Sequence, residues 1–296
     1  MNVDPPPAAE PSVRVRVDLA YDGTDFKGWA VQPGLRTVQG EVERGLAQIL
    51  RAPTRVSVAG RTDAGVHARA QVLHADVPAG RFAQMPGRSD RSPERSFLER
   101  LAAVLPADIA VHAVSEVGAD FDARFSALNR TYRYRINDRL ERRDPLRRDI
   151  AQHKRPLHAE AMHEAAVSLL GEHNFLSFCK PREGATTIRT LQDIRWERCE
   201  EGADAGLVVA TVTADAFCHH MVRSIVGASV AVGEGKADAA WMAALVQSPR
   251  RDASGSAPMF APGGLTLEAI AYPEPEEWAE RARGTRARRP TRRPEV

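Results

Sequence analysis

Apolar and polar positions alternate near the start of the chain. Val13, Val15, Val17, Leu19 and Tyr21 are interleaved with Arg14, Arg16 and Asp18. A period of two places one set on each face of a half-buried strand. Asp22-Gly23-Thr24-Asp25 ends the strand with turn residues. From Thr37 the period changes: Val38, Val42, Leu46, Ile49 and Leu50 recur at helical spacing, with Thr37 in the capping position and Pro53 as the stop. Residues 56–59 and 71–77 read as strands, joined by a polar loop over 60–69. Residues 79–95 are rich in Gly, Pro, Arg and Ser and read as a mobile insertion. Ser96-Phe97-Leu98-Glu99 has capping-box spacing and opens a helix that ends before Pro106.

The second half repeats the mixture. It reads as a strand at 131–136, a helix over 158–170 closed by Gly171, strands at 191–198 and 207–213, and a helix over 217–232. The order predicts two similar α+β halves joined near residues 115–120, and 296 residues suit two domains. The expected division is 12–118 for the N-terminal α+β unit and 119–273 for the C-terminal one. Disordered segments are expected at 1–11 and 274–296.

Composition changes this picture in three places. Residues 281–296 hold seven arginines against Glu295, so the rest of the chain carries 34 basic and 38 acidic residues. Any RNA site on the folded body is therefore a local basic patch rather than a product of global charge. The three cysteines, Cys179, Cys199 and Cys218, lack CxxC spacing and read as reduced thiols of a cytosolic protein. The proline-rich start lacks the apolar core of a signal peptide, and no apolar run is long enough for a membrane span.

Three segments carry candidate chemistry. In Gly60-Arg61-Thr62-Asp63-Ala64-Gly65-Val66-His67-Ala68 a carboxylate lies two residues from an arginine, between glycines that permit close backbone approach. A neighbouring arginine favours the ionised carboxylate, which suits a nucleophile. The residue types alone favour an ordinary Asx-turn, with His67 as a structural hydrogen-bonder. The expected helix 217–232 is apolar almost all round, and Arg223 is its one permanently charged residue. A buried guanidinium requires an anionic partner, whereas one at an edge reaches water along its stem. His219 and His220 sit side by side. On a helix they would point about 100° apart and would not share one metal ion. In 131–136, Tyr132, Tyr134 and Ile136 face one way and Arg133 and Arg135 the other. That pattern fits an amphipathic strand, and also stacking on bases beside phosphate-holding arginines. No Walker loop, GxGxxG fingerprint or GxSxG elbow is present, which argues against nucleotide-cofactor enzymes and the common serine hydrolases.

Taken together these segments resemble the tRNA pseudouridine synthase A family over roughly residues 13–273. The resemblance rests on Tyr21-Asp22-Gly23-Thr24-Asp25-Phe26 with Gly28-Trp29, on Thr37-Val38-Gln39-Gly40, and on the 60–68 loop. It continues through Phe121-Asp122-Ala123-Arg124-Phe125-Ser126-Ala127 leading to Tyr132-Arg133-Tyr134, and through His219-His220-Met221-Val222-Arg223-Ser224-Ile225-Val226-Gly227. Ala30, Asn129, the 79–95 insertion and the arginine-rich tail depart from the family pattern. The resemblance implies two ferredoxin-like (RRM-like) halves with joined antiparallel sheets flanked by helices. It implies a cytoplasmic homodimer that needs neither cofactor nor metal and acts on uridines 38, 39 and 40 in the tRNA anticodon arm. By position it makes Asp63 the nucleophile, Arg223 its charge partner, Tyr132 the residue stacked on the uracil, and Arg61 a holder of the extruded nucleotide. Three rival readings stand beside it. One is a non-catalytic RNA-binding module. Another is a metal-dependent hydrolase using Asp63, His67, His219 and His220. The third is a related synthase with a different RNA target.

Overall fold

The computed structural model describes residues 10–180, 186–252 and 255–287. The N-terminal stretch contributes β1 (Ser12–Tyr21), α1 (Val38–Leu50), β2 (Ser57–Val58), β3 (His67–Pro78), α2 (Ala79–Ala83), α3 (Pro93–Val104) and β4 (Ile109–Val117). There follow β5 (Asn129–Asn137), β6 (Ala151–Gln152), α4 (Ala159–Val167), β7 (Gly171–Asn174), β8 (Ile188–Arg198), β9 (Val208–Ala214), α5 (Met221–Gly233), α6 (Ala239–Gln247), β10 (Leu265–Ala271) and α7 (Trp278–Ala287). This is the α+β class expected: one large, mostly antiparallel sheet with helices against it.

The strands run in the order β4-β1-β3-β10-β5-β9-β8-β7, with β2 on β3 and β6 on β5. The join is made by β10. It pairs antiparallel with β5 and parallel with β3, where Thr266 meets His67 and Leu267 meets Ala68. The 60–66 loop leads directly into β3, so this seam places the loop against the strand that carries Tyr132, whose register partner is Leu267. The alternation in β1 is realised: Val15, Val17, Leu19 and Tyr21 are buried, while Arg14 pairs with Asp76 and Arg16 with Asp18. Thr37 caps α1 by accepting from the Gly40 amide.

Several expectations are corrected. The 79–95 segment is structured: it contains α2, whose Phe82 is buried against Phe97, and the start of α3. A short amphipathic turn with two large apolar side chains, Phe82 and Met85, docks on the core despite its polar composition. The cap of α3 is Ser92, whose side chain accepts from the Arg95 amide, and Pro93 holds the first helical turn. The Ser96 hydroxyl is instead buried without a partner among the described residues. Ser92→Ala should therefore lower unfolding free energy by about 1 kcal/mol, whereas Ser96→Ala should be neutral or stabilising. Chemical denaturation of the two variants measures both; equal losses would restore Ser96 as the cap.

The expectation of disorder over 274–296 fails for its described part. Trp278 packs on Phe121 at 4.7 Å, Arg281 donates to the Ala127 carbonyl, and Arg286 pairs with Asp122 at 2.6 Å. These contacts anchor α7 even though its sequence carries no apolar stripe. Residues 288–296, and 1–9 at the other end, lie outside the described residues.

Helix α5 begins at Met221, four residues later than expected. Residues 217–220 form an irregular approach. The Lys180 amide donates to the His219 carbonyl at 2.9 Å, and Cys218 is joined to Cys179 in a disulfide with Cα atoms 5.7 Å apart. Three separate thiols were expected; only Cys199 is free. The turn 176–178 lays Cys179 and Lys180 alongside Cys218 and His219, a neighbourhood no local spacing records. The tertiary contacts hold His220 at φ +72°, which a helix cannot accommodate. From Met221 onward the helix is nearly all buried, as its apolar character required.

Candidate active site

The 60–66 loop is shaped from below by the segment after β1. The Trp29 amide donates to the Thr62 carbonyl, the Gly65 amide to the Phe26 carbonyl, and the Val66 amide to the Asp63 carbonyl. Gly28 takes φ +94°, and a Cβ there would lie 3.0 Å from the Thr62 carbonyl oxygen. Gly23 is equally confined: a Cβ would overlap the Val66 carbonyl. Glycine is required at both places because the two backbones touch. Thus the Tyr21–Trp29 motif and the 60–68 motif are one structural unit.

Buried polar groups fix the loop from the other sides. The Tyr21 hydroxyl meets Thr62 Oγ1 at 2.7 Å. Fully buried Gln71 donates to the Gly60 carbonyl at 2.7 Å and to the Tyr21 hydroxyl at 3.2 Å. Burial pushes the Tyr21 phenol up to about 12, so it stays protonated. Arg130 donates to the carbonyls of Ala59, Arg124 and Asp215, joining the base of the loop to the strands behind it. His67 accepts from the Gly23 amide through Nδ1 and sits 3.2 Å from the Gly263 carbonyl through Nε2. It is the structural hydrogen-bonder expected. Gln71 was not singled out in the sequence. A fully buried glutamine next to a strand's apolar run leaves no signal in composition or periodicity.

Three cationic or imidazole groups surround the Asp63 carboxylate. Arg223 Nη1 lies 3.5 Å from Oδ2, and its Nε donates to the Phe260 carbonyl at 2.9 Å. His219 Nε2 lies 3.4 Å from Oδ1 and His220 Nε2 3.6 Å from Oδ2. The anionic partner that the apolar helix required of Arg223 is therefore Asp63, 160 residues earlier. Burial lowers the His220 pKa; Asp63 raises it, while Arg223, Lys180 and Arg251 lower it further, so the ring is neutral at neutral pH. The helical geometry assumed for His219 and His220 is corrected. The left-handed backbone at His220 brings the rings to 3.8 Å, both facing Asp63.

Asp63, Arg61, Tyr132 and Arg223 all line one cavity of about 1110 Å³. Its walls also present Lys27, Arg124, Lys180, Arg189 and Arg286. That excess of cations over Asp63 and Asp122 is the local basic patch a phosphate backbone requires. Tyr132 is buried and meets Phe217 edge-on at 5.1 Å. Burial pushes its phenol above the ordinary value, so it presents a neutral ring. Arg61 is exposed at the cavity wall. The other face of β5 has a different role. Arg133 pairs with Asp204, and Arg135 with Asp204 and Glu268, so these two arginines are structural and are not aimed into the cavity.

The family model for tRNA pseudouridine synthase matches residues 19–126 and 165–273. The chain belongs to the tRNA pseudouridine synthase family. It is 49% identical over 278 residues to tRNA pseudouridine synthase A of Streptomyces griseus, covering 93% of each chain. It is 46% identical over 296 residues to that of Bifidobacterium animalis subsp. lactis, covering 93% of this chain and 99% of the relative. The same-named protein of Corynebacterium glutamicum is 45% identical over 278 residues, covering 93% of this chain and 94% of the relative. Among solved structures, the archaeal box H/ACA sRNP Nop10-Cbf5 complex matches 73% of this chain and 43% of that one. It does so at TM-score 0.28 and 11% identity, too distant a likeness to weigh. The matched segments contain the loop with Asp63 and the helix with Arg223, and the family is one of isomerases acting on tRNA uridine. No described helix is long and apolar enough to cross a membrane.

Proposed function

We propose that this protein isomerises uridine to pseudouridine at positions 38, 39 and 40 of the tRNA anticodon stem-loop, with Asp63 as the nucleophile. The observation that carries the reading is the Asp63 carboxylate held against Arg223 in a cavity walled by cations. The reaction breaks the N1–C1′ bond, turns the uracil and joins C5 to C1′. The C5 hydrogen leaves as a proton and N1 regains one, so no oxidant or energy source is consumed. A carboxylate is a competent covalent catalyst for such a two-step exchange.

The uridine must leave the helical stack before Asp63 can reach it, at a cost of a few kcal/mol. Arg61, exposed on the loop, holds the extruded nucleotide, and Tyr132 stacks on the uracil, offsetting that cost. In this reading Lys27, Arg124 and Lys180, exposed on the same cavity wall, meet phosphates, so affinity should fall as salt rises. The 12–118 unit supplies Asp63 and Arg61, and the 119–273 unit supplies Tyr132 and Arg223. A cytoplasmic homodimer acting on the anticodon arm completes the reading.

The test is pseudouridine mapping of an unmodified tRNA with uridines at 38, 39 and 40, incubated with the protein and no added cofactor or metal. Conversion confined to those positions is expected. Conversion elsewhere would transfer the activity to another RNA site. Stoichiometric tRNA binding without any conversion would favour a non-catalytic RNA-binding module.

A further inference from the structure

Asp63, His219 and His220 bring three donor atoms within 4.8 Å of one another. The imidazole-to-carboxylate distances are 3.4 and 3.6 Å. A tetrahedral zinc ion sits about 2.0–2.1 Å from such donors, which leaves neighbouring donors roughly 3.3–3.4 Å apart. Each imidazole already stands near that spacing from one carboxylate oxygen, His219 from Oδ1 and His220 from Oδ2, and side-chain rotation brings both rings onto a single oxygen. Two imidazoles and one carboxylate, with a fourth position open to the cavity, make a donor set of the kind zinc accepts with an exchangeable ligand. Uridine isomerisation as described above uses neither imidazole.

We propose that Asp63, His219 and His220 form an inhibitory site for Zn²⁺ or a similar borderline-soft divalent ion, which captures the carboxylate needed for attack. Capture is independent of what the enzyme acts on; the inhibition rests on the proposed uridine chemistry. Arg223, 3.5 Å from the same carboxylate, disfavours a second positive charge, so the ion binds reversibly rather than as a structural fixture. Mg²⁺, which tRNA requires, prefers oxygen ligands and retains its waters. It competes poorly for a site with two imidazoles.

Calorimetric titration of Zn²⁺ into the full chain, without RNA, chelator or thiol reductant, tests binding. Co²⁺ substitution reports geometry by its visible absorption. One ion per chain and a tetrahedral Co²⁺ spectrum are expected, undisturbed by millimolar Mg²⁺. Asp63→Asn, and His219→Gln combined with His220→Gln, should each weaken binding at least about tenfold. Cys199→Ser should change nothing, because this free cysteine lies outside the cavity that holds the three donors. Absence of stoichiometric binding, equal binding by the Asp63 and His219/His220 variants, or loss of binding in Cys199→Ser would overturn the site. In the tRNA assay, Zn²⁺ should stop pseudouridine formation over the concentration range in which it binds, with recovery on adding EDTA. Binding without inhibition would overturn the inhibitory role. A metal-free protein that makes no pseudouridine would sink the proposed function and leave the titration to judge the site.

Discussion

Asp63→Asn should yield a folded protein that still binds tRNA and makes pseudouridine at least about 10³-fold more slowly. The size follows from the proposed role, in which the substitution removes a covalent catalyst whose work no neighbour can take over. Asparagine keeps the shape of the loop, because the contacts that hold residue 63 in place are backbone ones: Val66 N to the Asp63 carbonyl, and Trp29 N to the Thr62 carbonyl. The carboxylate itself is partly exposed, so losing its pairing with Arg223 should cost only about 1 kcal/mol of stability. Three measurements decide the matter: single-turnover pseudouridine formation, tRNA affinity and thermal melting. A variant that keeps a rate near that of the wild type would remove Asp63 from the mechanism. A variant that melts far earlier would mean the loss of rate reports unfolding instead.

Arg223→Ala should damage both activity and stability. The side chain spans two partners, the Asp63 carboxylate and the Phe260 carbonyl, and the backbone strengthens the same junction, since the Phe260 amide donates to the Arg223 carbonyl. Truncation leaves the Phe260 carbonyl without its charged donor and the carboxylate without its guanidinium. About 2 kcal/mol of unfolding free energy and at least about 10²-fold in turnover should be lost. Arg223→Lys retains the positive charge but cannot serve both partners with a rigid fork. It should recover part of the turnover. Unchanged melting and unchanged rate in Arg223→Ala would show that the pairing is incidental. Loss of stability with full rate per folded molecule would make Arg223 structural alone.

Much of the site is legible in the sequence. The 60–68 loop, the apolar helix with its single arginine and the Tyr132 strand were each visible as local patterns, and their family-like order singled out Asp63, Arg223, Tyr132 and Arg61. The helix left Arg223 either paired with an anion or reaching water from an edge, and the structure pairs it with Asp63. The errors share a cause. Helical spacing extends the helix back over His219 and His220, because Phe217 falls on the same apolar face as Met221, Ile225, Ala228 and Val232. The insertion over 79–95 and the residues after 273 were read as loose because their composition is polar. In each case a few tertiary contacts outweighed the local preference: Lys180 and Cys179 on 218–219, Phe82 on Phe97, and Trp278 on Phe121.

What the sequence determined by itself is what depends on neighbours a few residues apart: the strand and helix periods, the Thr37 cap and the α+β class. Those follow from side-chain direction and backbone sterics, which act within a turn or a strand. The tertiary structure alone decided what lies across the chain: the parallel seam of β3 with β10, the meeting of Asp63 with Arg223, and the left-handed backbone that turns two adjacent imidazoles onto one carboxylate. Such juxtapositions are set by the packing of the whole sheet and core. Residues 160 positions apart are brought together by the sum of many burials, and no local pattern records that sum.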